Sequence, residues 1–297
     1  MPPGIPLIND RLVIWVVAEL HLLFAAFVLG APIFIVICEY LGLRTRDSRY
    51  ERLARETMKI VAISYSLTAL FGAAMTFVLI GRYQALANFI FDRFYPLFGL
   101  YALLLLIESV LMYVYWYTWD ALAGRKGVHI GIGIALNVVG TLVMVLMNGV
   151  GSFMLTPPPS PGEASLWQLV NNATWTGLNL HRFIANISFG GFMVALFAAF
   201  MFLTSRKDED KAFYDWMGYI GNFIGVAALI LLPVAGYIYA KEIFAYDATI
   251  STLLMADKLA WFFVIQGILV GLLFLGAIYY MWLSIQRIQG GVRFRSY

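Results

Sequence analysis

Seven long apolar runs dominate the sequence, and they constrain the fold more than any other feature. An α-helix needs ~20 mostly apolar residues to cross the hydrocarbon core of a bilayer, and each run is long enough. Charged residues make up only 12% of the chain, against about 25% in a soluble domain. We therefore expect an all-α, polytopic membrane helix bundle of about seven transmembrane helices, at residues 12–40, 58–80, 95–119, 129–155, 175–204, 212–240 and 254–286.

The basic residues predict the orientation in the membrane. Seven spans place the termini on opposite sides, and the side of the C-terminus holds fourteen of the twenty Lys and Arg residues. Cytoplasmic loops carry such an excess, so the N-terminus is expected outside and the C-terminus in the cytoplasm. The fourteen are Arg44, Arg46, Arg49, Arg52, Arg55, Lys59, Arg125, Lys126, Arg206, Lys207, Lys211, Arg287, Arg293 and Arg295.

Two of the three histidines fall inside apolar runs. His21 lies ten residues after Arg11, roughly 15 Å below the outer edge at the helical rise. His181 lies seven residues after Thr174, about 10 Å below the same edge. Both are expected in the outer half of the membrane, where an ionisable side chain is a functional candidate. His129, at the cytoplasmic start of the fourth run, is expected to serve packing at the interface.

Haem iron is one group that these two imidazoles suit, because neutral imidazole is a common axial ligand. Arg182 could then pair with a haem propionate. Two alternatives stay open: a hydrogen bond to a carbonyl of a neighbouring helix, or a proton relay. Small residues lie one turn from each histidine and would let a flat macrocycle approach: Ala18 and Ala25 near His21, and Gly177 and Ala185 near His181.

Further polar residues lie within the apolar runs. Glu108, in the middle of the third run, is a candidate proton carrier; the alternative is a protonated carboxyl that bonds to a neighbouring helix. Met147 and Asn148 match the histidines in depth, and a methionine thioether can ligate haem iron. Glu39 lies near the cytoplasmic end of the first run and is expected to be solvated. The single cysteine excludes a disulfide within the chain.

Short motifs at 107–109, 119–120 and 148–149, together with the helical segments at 20–43, 178–197 and 221–232, share one order with a known family. Over roughly residues 12–240 the sequence resembles subunit I of the cytochrome bd quinol oxidases. The resemblance implies haem b at His21 and His181, with the low-spin haem at His181. The sequence also departs from the family pattern. Leu100 stands where the family has a second glutamate, Leu269 or a neighbour stands at the methionine ligand, and the long quinol loop and last helices are not found.

This resemblance implies a haem b-containing oxidoreductase subunit, with one or two haems, that moves electrons between the quinone pool and a partner redox protein. The expected setting is a membrane respiratory complex in the inner membrane of a prokaryote. Its other subunits could include a periplasmic cytochrome or an iron–sulfur protein, and no nucleic acid is expected. Candidate propionate partners are Arg182, Arg82 and Arg93, and Lys241, Glu242 and Lys258 could line a quinol site.

The chain is expected to have three parts: an N-terminal four-helix bundle at 1–155, an outer interfacial loop at 156–174, and a C-terminal three-helix haem-binding part at 175–297. Two other functions stay open. The chain could be a shortened bd-type oxidase that reduces oxygen itself, with Glu108 feeding protons, or a haem-free membrane scaffold or transporter subunit.

Overall fold

The computed structural model describes residues 9–257 and 259–289, and no β-strand occurs in them. Seven of the helices there are long and apolar enough to cross a membrane, which confirms the expected fold class and number of spans. The orientation of the termini stays a prediction, and Lys258, Arg293 and Arg295 lie outside the described residues. The helices are α1 (Asp10–Thr45), α2 (Ser48–Arg82), α3 (Gln84–Tyr117), α4 (Lys126–Leu155), α5 (Leu166–Val170), α6 (Trp175–Thr204), α7 (Asp208–Tyr246), α8 (Ala248–Met255) and α9 (Ala260–Gln289), with a 3-10 turn at Ala123–Arg125.

The helices extend past the apolar runs that predicted them. The second run begins at residue 58, whereas α2 begins at Ser48, because a polar helical segment continues beyond the apolar part. A tight corner at Arg46, in the left-handed conformation with φ 58°, turns α1 into α2. Asp47 then caps α2 by accepting the Arg49 N–H at 3.0 Å. Hydrogen bonds from Arg49 hold the pKa of the Asp47 carboxyl below its ordinary value.

The chain divides into two compact units between Val150 and Gly151 in α4. In the first unit, α1 and α2 pack side by side as a helical hairpin. Phe34 and Ile35 of α1 and Leu53 of α2 are fully buried there. This hairpin carries His21 on α1 and brings α2 against it.

The second unit is organised by the packing of α6 against α7. Their backbones approach closely at glycines: a Cβ atom on Gly191 would lie 2.8 Å from the carbonyl oxygen of Gly221. Ser188 donates its hydroxyl to the Gly225 carbonyl at 2.9 Å. Small residues permit such close approach between membrane helices, where packing drives association. The pair positions His181, which lies on α6.

The segment between α4 and α6 is tied down by buried side chains. The hydroxyls of Thr156 and Thr174 lie 2.7 Å apart, and the Asn172 amide donates to Ser152 at 2.8 Å. The Tyr246 hydroxyl, at the end of α7, donates to the Pro157 carbonyl at 2.7 Å. These bonds fix where α6 begins and hence the depth of His181 along it.

The close contact between α6 and α7 predicts that two glycine substitutions differ in their effect on stability. Gly191→Ala should lower the thermal midpoint of the detergent-solubilised protein, because overpacking costs about 1–3 kcal/mol. Gly271→Ala is the matched control, since a Cβ there meets no atom within 4 Å. It should leave the midpoint unchanged or raise it, because alanine is favoured in a helix by about 1 kcal/mol. Equal midpoints for the two variants would contradict the close packing.

Candidate functional site

His21 of α1 is held by the backbone of α2. Its Nδ1 atom lies 3.0 Å from the Thr68 carbonyl oxygen. A carbonyl oxygen only accepts, so Nδ1 carries a proton, and in the neutral imidazole Nε2 is then the nitrogen with the lone pair. A Cβ atom on Gly72 would lie 3.0 Å from Cε1 of the ring, so the imidazole rests directly on the α2 backbone. The sequence did not single out Thr68 or Gly72, because only the tertiary fold brings them to His21.

His181 has a different environment between α6 and α7. Its Nδ1 atom is buried and has no hydrogen-bond partner among the described residues. The ring lies 6.1 Å from that of Tyr239, centroid to centroid, at an interplanar angle of 28°. On the same side, a Cβ atom on Gly236 would lie 3.6 Å from Nδ1. A buried polar atom without a partner costs free energy, so this imidazole is a candidate to contact a bound group.

Gly177 does not make the room that its position near His181 suggested. A Cβ atom there would lie 3.1 Å from the Tyr239 Cα, so the glycine serves the close packing of α6 on α7. The glycine that faces the His181 ring is Gly236, on the other helix. Spacing along one helix could not distinguish these two roles, because it does not say which face the neighbouring helix covers.

The three candidate arginines differ in setting. Arg182 follows His181 on α6 and is half-buried. Arg93 is also half-buried, in the first part of α3. Arg82 ends α2, and its Nε lies 3.5 Å from a carboxylate oxygen of Asp10, with both side chains largely exposed. An exposed ion pair of this kind contributes about 0–1 kcal/mol, so Arg82 can exchange its partner.

Glu108 is buried on α3, with 4% of its surface exposed. A Cβ atom on Gly140 of α4 would lie 2.8 Å from its Oε1, so this glycine makes the space that the carboxyl fills. Beside it, the hydroxyls of Tyr65 and Ser109 lie 2.6 Å apart. Asn148 on α4 is likewise buried, at 1% exposed, and Met147 before it is half-buried.

Glu39 is not solvated, as the sequence had suggested, but 2% exposed within a polar cluster. Its carboxylate accepts from the Tyr115 hydroxyl at 2.7 Å and lies 2.6 Å from Nδ1 of His129. Nε2 of His129 lies 2.9 Å from the Tyr115 carbonyl oxygen. Lys126 lies 3.4 Å from the Glu39 carboxylate and also pairs with Glu51, which is 44% exposed.

Both ring nitrogens of His129 face oxygens, Nδ1 the Glu39 carboxylate and Nε2 the Tyr115 carbonyl. Glu39 thus joins His129 and Tyr115 in one buried cluster. The role of His129 was missed because its carboxylate partner lies 90 residues away in sequence. The available signal was weak: both residues were expected at the cytoplasmic side, at the ends of different helices.

Comparison with known families matches residues 10–249 to the cytochrome bd terminal oxidase subunit I family. The chain belongs to this family. Among solved structures it is similar to the bd oxidase from Geobacillus thermodenitrificans, with a TM-score of 0.69 at 18% sequence identity. The match covers 80% of this chain and 56% of the solved chain, so this chain spans little more than half of that one. At this identity the likeness shows the fold alone. No curated protein matches the chain.

Cytochrome bd subunit I proteins are membrane proteins that generally bind haem b and form part of a multi-subunit oxidase. Two features of this chain fit such a group. Nδ1 of His181 is a buried polar atom with no partner among the described residues, and His21 carries its lone pair on Nε2. Neutral imidazole is a common axial donor to haem iron, and both histidines are candidates for it.

The buried cluster at Glu39 predicts an effect on stability. Glu39→Ala leaves His129 and Lys126 without their shared carboxylate, and breaking a buried pair costs roughly 3–5 kcal/mol. Asp120→Ala is the control, because its pair with Arg55 is exposed on both sides and such a pair contributes about 0–1 kcal/mol. We expect a clear drop in the thermal midpoint for the first variant and little change for the second. A drop of the same size in both would contradict the assigned cluster.

Proposed function

We propose that this cytochrome bd-family chain is a haem b-containing electron-transfer subunit of a membrane respiratory complex. It would move electrons between the quinone pool and a partner redox protein in the inner membrane of a prokaryote. The observation that supports this most strongly is the His181 imidazole, whose buried Nδ1 hydrogen-bonds to nothing among the described residues. Family membership supports the nature of the group that it would hold.

His21 and His181 are the proposed axial ligands. When bound, haem supplies an iron couple that accepts and releases one electron. The chain orients the ligands: Thr68 fixes the ring of His21, and Gly236 with Tyr239 borders the ring of His181. Met147, next to the buried Asn148, is a further candidate ligand from α4.

Propionates would be held by arginines on the outer side. Arg182 is the first candidate, since it neighbours His181 and is half-buried, where a charge pair is screened less by water. Arg93 is similarly half-buried, and Arg82 would exchange Asp10 for a propionate. Guanidinium groups suit this task because they bind carboxylates through two parallel hydrogen bonds.

Quinol oxidation releases two electrons and two protons, and both need acceptors. Lys241 and Glu242 lie on α7 five and six residues beyond Gly236, about 8 Å along the helix from the level of His181. Glu242 is half-buried and Lys241 exposed, so the pair could bind a quinol hydroxyl and take its proton at the outer face. Glu108, buried on α3, is the proposed proton carrier within the membrane.

The partners would be other subunits of the same complex. A periplasmic cytochrome or an iron–sulfur protein would exchange electrons with the haems from the outer side.

A second candidate function is the reduction of oxygen by this subunit itself, which the terminal-oxidase family supports. Purified protein should then consume oxygen when supplied with quinol. His21→Ala should abolish that consumption, because His21 would hold the oxygen-reducing iron. Wild-type protein that binds haem but consumes no oxygen with quinol would favour electron transfer to a partner.

Substitution of His181 tests the main proposal. His181→Ala should remove a low-spin b-type spectrum and lower the haem content of the purified protein. Leu180→Ala is the matched control, because this neighbouring side chain on α6 is 41% exposed. We expect the control to keep its haem. An unchanged optical spectrum in His181→Ala would rule out this histidine as a ligand.

A further inference from the structure

One turn of α2, from Thr68 to Gly72, faces one edge of the His21 ring. The Thr68 carbonyl accepts a hydrogen bond from Nδ1 at 3.0 Å. One turn later, a Cβ atom on Gly72 would lie 3.0 Å from Cε1, 3.1 Å from Nδ1 and 3.9 Å from Nε2. The Nδ1–Cε1 edge therefore lies against α2, and Nε2 points away from it.

Neighbouring side chains hold the two helices in this register. The rings of Phe24 on α1 and Phe71 on α2 stack with centroids 5.7 Å apart and an interplanar angle of 5°. Each phenylalanine lies within one turn of the contact between His21 and Gly72. The ring position is thus set by packing as well as by the hydrogen bond.

We propose that the Thr68–Gly72 turn of α2 positions His21 for haem iron and tunes its basicity. This rests on the proposed role of His21 as an axial ligand. The Thr68 carbonyl keeps the ring proton on Nδ1 and directs the Nε2 lone pair away from α2. The absence of a Cβ at Gly72 lets the ring come close enough for that bond.

The hydrogen bond has an electronic consequence. A ring N–H that donates to a carbonyl makes the opposite nitrogen a stronger base. A stronger donor stabilises ferric over ferrous iron and lowers the reduction potential, which outer hydrogen bonds are known to tune. An alanine methyl group at position 72 must displace the ring by a few tenths of an ångström, because its contacts with Cε1 and Nδ1 would be tighter than ordinary van der Waals contacts. That displacement lengthens the bond to Thr68.

The experiment compares reduction potentials in the full-length protein. Gly72→Ala should shift the midpoint potential of the His21-linked haem to a more positive value, or selectively lose that haem. Gly81→Ala, on the same helix, is the matched control, because a Cβ there meets no atom within 4 Å. Thr68→Val keeps the carbonyl and should also retain the wild-type potential. A Gly72→Ala potential and haem content equal to those of Gly81→Ala would overturn the proposal.

A second measurement leaves Gly72 intact. In His21→Gly, added imidazole should restore the wild-type midpoint potential, because it can donate to the Thr68 carbonyl. Added 1-methylimidazole has no second N–H, so it should give a more positive midpoint. Equal midpoints with the two ligands would show that the hydrogen bond has no effect on the iron and would overturn the proposal even if Gly72→Ala fails to fold.

His21→Ala separates this inference from the proposed function. If that variant keeps the haem content and spectrum of the wild type, His21 is not a ligand, and both proposals fail at this site. If it loses a haem while Gly72→Ala behaves as Gly81→Ala does, the ligand assignment stands and only the positioning role of α2 fails.

Discussion

A polar atom in the hydrocarbon region has no water to bond, so it must find a partner in the protein or in a bound group. Ser188 and Glu39 follow that constraint. Ser188 donates to a backbone carbonyl of the neighbouring helix, and Glu39 is surrounded by hydrogen-bond donors. Nδ1 of His181 has no partner among the described residues, and together with family membership this supports a bound group beside it.

The three histidines differ in how the protein satisfies them. His129 has an oxygen partner at both ring nitrogens, which suits a structural role in the cluster with Glu39. His21 donates from Nδ1 to the Thr68 carbonyl, which suits a ligand that binds through Nε2. His181 has a buried Nδ1 with no partner in the described part of the chain. Cytochrome bd subunit I proteins generally bind haem b, and we propose that the latter two residues hold it.

Much of the fold could be predicted because long apolar runs directly indicate membrane-spanning helices. The seven spans follow from composition, and the family follows from the order of short motifs around His21, Glu108 and His181. The predictions that were wrong concern contacts between different helices. Glu39 was expected in water because it lies near a helix end, but its partner His129 is on another helix. Gly177 was expected to leave room for a macrocycle, but α7 covers it. A sequence read one helix at a time does not reveal which face a neighbour covers.

The central claim is that His21 and His181 ligate the iron of bound haem b. A pyridine haemochrome assay on the purified full-length protein, referred to its protein concentration, tests this most directly. The account predicts one or two haem b groups per chain. Protein that is folded and pure but contains no haem would contradict it, and would favour a scaffold or transporter function instead.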